Sequence, residues 1–154
     1  MLYNVRIRES KNVELIDDED MLFADTVYHI LDVENVMNMI CSHLEDIGEN
    51  HDYTKLKYFD EFKQDVLGRI EQPNFEEREW YNIHTKYERH HINSVEPEDV
   101  NLFDIMEMIV DCIVSGKSRN GEVKSDFLML DDGILERAYW NTIKEISKYI
   151  KIKD

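Results

Sequence analysis

His51 and Asp52 stand side by side in the run His51-Asp52-Tyr53-Thr54-Lys55, with a lysine one helical turn further on. Four more histidines flank the run: His29 before it, and His84, His90 and His91 after it. Asp111 follows inside the apolar run Ile105-Met106-Glu107-Met108-Ile109-Val110-Asp111. Imidazoles and carboxylates are the ligands that borderline divalent cations prefer, so the chemistry open to these residues is metal binding and hydrolysis at a metal. Spacing indicates which of them can act together. Asp25 and His29, four apart, share a helix face. His84 and His91, seven apart, align to within about 20° on a continuous helix, whereas His90 lies on another face unless the helix ends there. Asp111, between Val110 and Cys112, is costly to bury without a cation, a donor or water. Asp104 and Glu107 fall on the same side and could accept hydrogen bonds from ligand imidazoles; a solvated strip of three carboxylates is the alternative. For Asp52 the alternative is a helix cap. Lys55 either holds a phosphate as a point charge or is one of many exposed lysines. His43 has no partner in the pattern.

These residues need rigid elements to carry them, and apolar spacing supplies candidates. Residues 1–20 alternate weakly through Tyr3, Val5, Ile7, Val13 and Leu15, which predicts a short hairpin or an arm. The acidic run 17–20 suits the start of a helix. Helical spacing then predicts a first helix over about 21–46, broken at Gly48-Glu49-Asn50. A second helix, opened by the His-Asp run, is predicted to about residue 70. The loop Gln72-Pro73-Asn74 leads to a third helix over about 75–90. Val95-Glu96-Pro97-Glu98-Asp99 is the next break. A fourth helix, about 101–114, is apolar nearly all round and is expected to be the central buried one. Residues 115–124 read as a loop, and a last helix is predicted over about 131–150. The fold expected is all-α, a bundle of about five main helices in one domain spanning 1–154, with 21–150 as its helical core.

Composition narrows the function classes. At 154 residues, 42% of them hydrophobic, the chain can bury a sizeable core. A formal charge of −16 argues against duplex nucleic acid or an anionic membrane as partner. It leaves room for a small phosphorylated substrate, because a metal and a lysine can reverse the field inside a cleft. Two cysteines, Cys41 and Cys112, are too few for a disulfide scaffold and read as buried thiols of a cytoplasmic protein. No apolar run suggests a signal peptide or a membrane span. The oligomeric state is left open.

The ordered set His29, His51-Asp52, His84, His90-His91, Asp111 resembles the HD-domain superfamily of metal-dependent phosphohydrolases. His51-Asp52-Tyr53-Thr54-Lys55 looks like the His-Asp-x-x-Lys signature of members that cleave cyclic dinucleotides. The set is also similar to short viral and bacterial proteins with His-Asp-x-Ser/Thr-Lys followed by a His-His pair. The resemblance covers roughly residues 25–115. It implies an HD-like helical bundle that holds one or two divalent ions (Mn, Fe, Zn or Mg). His29, His51, Asp52, His84, His90, His91 and Asp111 are then the ligands, Asp25 an additional one, Asp52 the bridge and Lys55 an assistant to the phosphate. The activity implied is a phosphohydrolase or phosphodiesterase acting on a nucleotide or cyclic nucleotide; the alternative is an inactive HD-like module that binds a nucleotide or a protein. The Gly-Tyr-Pro segment of the cyclic-dinucleotide enzymes is missing, since His90-His91 runs into Ile92-Asn93-Ser94. Substrate identity does not carry across.

Overall fold

The computed structural model describes residues 1–9, 16–68, 74, 77–123 and 129–153. The chain is all-α in character, with one small sheet. Strand β1 (Val5–Ile7) forms where the alternation predicts it, but its partner comes from the other end of the chain. Strand β2 (Ile150–Ile152) runs parallel to it, with Val5 opposite Ile150 and Ile7 opposite Ile152. A parallel partner cannot come from a tight hairpin. The return strand expected at Val13 and Leu15 lies outside the described residues.

Helix α1 (Glu19–Asn50) begins in the acidic run, where Asp18 Oδ1 accepts from the Met21 N–H at 2.8 Å. It does not stop at Gly48 as expected. One glycine costs a helix only about 1 kcal/mol, too little to end it unaided. The stop falls at His51-Asp52, and Asp52 has a left-handed backbone (φ 58°), the only positive φ outside glycine among the described residues. The second predicted helix is split at Tyr58 into α2 (Tyr53–Lys57) and α3 (Phe59–Gly68). Helix α4 (Glu79–Tyr87) is shorter than predicted at its C-terminal end; residues 75–76, its expected start, and Gln72-Pro73 lie outside the described residues. Helix α5 (Leu102–Asn120) runs six residues past its predicted end and closes on Gly121, whose φ of 73° suits a helix C-terminus. It is amphipathic rather than apolar all round, with Val110 and Val114 half-exposed or more. Helix α6 (Asp132–Ser147) ends three residues early, because Ile150-Lys151-Ile152 alternates and is taken into the sheet. With α2 and α3 counted together, the five main helices stand as predicted. No helix among the described residues is long and apolar enough to cross a membrane.

Two compact units result, Met1–Ile47 with Ile143–Asp154, and Gly48–Thr142. In the first, β1, β2 and most of α1 bury Leu2, Val5 and Met39. The Arg8 N–H donates to Asp32 Oδ2 at 3.0 Å, and its guanidinium lies over the Tyr28 ring. In the second, Ile92, Val100, Ile105, Met108, Ile134 and Ala138 form the core, drawn from α5, α6 and the segment before α5. Each of these side chains except Ala138 contributes roughly 1.5–3 kcal/mol on burial. Asn101 and Asp104 make a reciprocal cap at the start of α5. Arg89 grips Asp104 through two nitrogens, at 2.7 and 2.8 Å, and so ties the end of α4 to that cap.

Candidate metal centre

Four elements of the second unit converge on one point, and local hydrogen bonds fix each in place. Asp52 precedes α2, and its carboxylate makes no capping bond, which disposes of the capping alternative. That carboxylate instead meets Lys55 and the rings of His51 and His84. Strained residues with a positive φ, as Asp52 has, collect at functional sites, where surrounding contacts hold them. The first turn of α2 is tied to the end of α4 twice over. Thr54 N–H donates to Glu88 Oε1 at 2.7 Å, and Thr54 Oγ1 lies 2.6 Å from His84 Nδ1. After Tyr87 the chain leaves α4 through a turn, with His91 N–H donating to Glu88 O. His90 and His91 therefore sit on that turn, free of the facing rule that a helix would impose. Trp80 stacks on His84, with centroids 4.6 Å apart. Helix α5 brings Glu107 and Asp111, one turn apart.

The ligand atoms fall into two sets, Asp52 with His84, His90 and His91, and His51 with His90 and Asp111, each within 4.8 Å of one another. The two oxygens of Asp52 serve different sides. Oδ1 lies 3.4 Å from His84 Nε2 and 3.8 Å from His90 Nε2. Oδ2 faces His51 Nε2 at 3.4 Å and also receives the Lys55 ammonium. His84 Nε2 and His91 Nε2 are 2.7 Å apart. Glu107 Oε1 lies 2.9 Å from His51 Nδ1 and 3.0 Å from His90 Nδ1. Despite that second distance, neither ring nitrogen of His90 has hydrogen-bond geometry with a partner, although the residue is only 3% exposed. A buried imidazole left in that state is costly, and a cation is the partner its lone pair would take. The donor set therefore fits a divalent ion.

Electrostatics favour the same reading at His84 and His91, whereas His51 must lose a proton before it can ligate. Burial, then the neighbouring His91, pushes His84 down to about 3. Burial, then His90, pushes His91 down to about 4. Both are neutral near pH 7, the form that ligates metals. His51 is pushed up to about 11 by Asp111 first, then Asp52 and Glu107. Burial alone would raise the Asp52 carboxyl, but His51 and Lys55 outweigh it and hold it well below the usual range. Glu107, opposed by burial but paired with His51 and His90, is held down to about 2. Asp111 is lowered by His51. Three carboxylates against one imidazolium and one ammonium leave the site net negative.

Six of the seven expected ligands thus meet. His29 and Asp25 do not join them. Their inclusion came from the resemblance and from their spacing of four; both lie on the first unit's part of α1, with His29 exposed, and neither belongs to either set. Asp104 is also misplaced by the expectation, because its carboxylate is spent on Arg89 and the α5 cap. Glu107 does take the position of an acceptor for imidazoles. Lys55 lies against Asp52, not at the end of a continuous helical face with His51. His43 is half-buried on α1 in the first unit. Thr54, Glu88 and Trp80 orient the site and were not foreseen; only the proximity of Thr54 to the His-Asp run hinted at one of them. The chain matches no known protein family, no characterised protein and no solved structure.

Proposed function

We propose that the second unit is a metal-dependent phosphohydrolase or phosphodiesterase of HD-domain type, acting on a small phosphorylated substrate of the nucleotide or cyclic-nucleotide class. The observation that carries this is the four-residue set Asp52, His84, His90 and His91, with the buried Nε2 of His90, which has no hydrogen-bond partner, at its centre. These four residues would hold one divalent ion (Mn, Fe, Zn or Mg), and His51 with Asp111 would complete a second position. An ion so held supplies Lewis-acid polarisation of a phosphoryl oxygen and acidification of water. The chain's own residues do the rest. Thr54 fixes the His84 ring, leaving Nε2 for the ion; Glu107 steers His51 and His90. Lys55 places a positive charge beside Asp52, close to where a phosphate would sit. The thiols are free, although Cys41 is exposed and Cys112 only half-buried rather than buried as expected; they suit a cytoplasmic protein, and the charge of −16 disfavours duplex nucleic acid or an anionic membrane as partner.

One observation favours a second reading, a binding module without turnover. The Lys55 ammonium already neutralises Asp52 Oδ2 from within the chain. Elemental analysis of untagged protein, thermal shift with Mn²⁺, Fe²⁺ or Zn²⁺, and turnover of a nucleotide panel separate the two. The hydrolase reading expects bound metal, and loss of turnover with lower metal occupancy in Asp52→Ala, while His43→Ala changes neither. Metal without turnover selects the module. Absence of both metal and stabilisation sinks the site.

A further inference from the structure

A cavity of about 260 Å³ opens beside the histidines, and its wall carries a residue that no argument so far has used. His90, His91 and Asp111 line one part of it, and Ser115 and Arg119 line another. Along α5 the positions Glu107, Asp111, Ser115 and Arg119 recur every four residues, so they form one stripe winding along the helix. Asp111 and Arg119 are about 12 Å apart along the axis. Helical side chains lean towards the N-terminus, which is the direction of Asp111 from Arg119. Arg8, Arg89 and Arg137 each sit on a carboxylate, and acidic residues outnumber basic ones by 34 to 18. Arg119, like the exposed Arg6, nevertheless has no carboxylate partner among the described residues. Among the described residues it is also the only lysine or arginine lining this cavity.

We propose that this cavity is the substrate site and that Arg119 is its phosphate-binding cation, for a phosphomonoester no larger than about a single nucleotide. The inference rests on the hydrolase reading for what happens to the phosphate, but not for the phosphate's binding. A guanidinium meets phosphate through two parallel N–H donors, which a lysine cannot reproduce. Lys55 is a weaker candidate for the task, since its ammonium is held by Asp52. The volume lies below the roughly 300–1,000 Å³ of sites for drug-sized ligands, which favours a mononucleotide over a dinucleotide. Ser115 and the hydroxyls of Tyr81 and Ser94, 3.3 Å apart, supply neutral hydrogen-bonding groups along the remaining wall.

The test is calorimetric titration of the full chain with inorganic phosphate, with Mn²⁺ and without it, followed by competition with a nucleoside monophosphate and with a cyclic dinucleotide. Wild type should bind phosphate, and Arg119→Ala should weaken binding about ten- to a hundredfold. Arg119→Lys should fall between, and metal content and melting temperature should be unchanged in both variants. The monophosphate should displace phosphate and the cyclic dinucleotide should not. Wild-type affinity in Arg119→Ala, no phosphate binding by wild type, or displacement by the dinucleotide each overturns the proposal. If phosphate binding depends on Arg119 but no metal loads, the anion site stands and the hydrolase reading falls. If metal loads and turnover is normal in Arg119→Ala, the reverse holds.

Discussion

Glu107 holds one carboxylate oxygen within 3.0 Å of two imidazoles, those of His51 and His90. It has no place in either ligand set, so its effect on a bound ion is exerted through those rings. Its charge biases which nitrogen of each ring carries the proton, and so which nitrogen is left with a lone pair. Glu107→Gln keeps the shape and removes the charge. It should lower Mn²⁺ affinity by about ten- to a hundredfold with little change in melting temperature. Titration of the purified variant checks this; unchanged affinity would show that the rings are oriented without it. His29→Ala, outside the cluster, should leave the same titration untouched.

At the scale of elements, the site depends on how α4 ends. Had α4 continued through His91, His90 would have pointed away from His84. The turn after Tyr87 brings both rings in, and Arg89 within that turn is clamped to Asp104 and Asp99. Arg89→Ala should destabilise the protein by about 1–3 kcal/mol, because the nearly buried Asp104 carboxylate loses its two charged donors. Chemical denaturation reads this directly, and a loss below about 0.5 kcal/mol would mean that Asn101 alone satisfies Asp104. The same junction shows what was legible in the sequence. The helices were readable from apolar spacing, and the histidine ligands from their concentration in so acidic a chain. The ends were not. Whether Gly48 or Asp52 stops α1 turns on about 1 kcal/mol of backbone preference, which the tertiary contacts of Thr54 and Glu88 outweigh. The pairing of Val5 with Ile150 joins segments far apart in the chain, and no local pattern encodes it. Asp104 and Glu107 looked equivalent by spacing; only the position of Arg89 tells them apart.

For the whole molecule, the histidines set how stability responds to acid. In metal-free protein His84 and His91 are held at about 3 and about 4, below the ordinary 6.5. The unfolded chain therefore takes up protons near pH 6.5 that the folded chain refuses until about 4 and below, and stability falls across that interval. His51 has the opposite sign. Raised to about 11, it stabilises the fold fully below about pH 6.5 and loses that contribution only as pH climbs towards 11. The lowered Glu107 contributes above its ordinary range near 4.5 and loses that as pH falls towards about 2. Below about pH 6.5 the two neutral histidines therefore dominate, and the chelated protein should melt progressively lower towards pH 4.5. Added Mn²⁺ should raise the melting temperature at pH 7.5, since an ion bound only by the folded state stabilises it by mass action. That gain should shrink towards zero at pH 4.5, where protons compete for the same imidazoles. Melting curves at four pH values, chelated and with Mn²⁺, decide it. A metal-free melting temperature that is flat from 7.5 to 4.5 would contradict the neutral histidines, and a Mn²⁺ gain independent of pH would place the ion on carboxylates elsewhere.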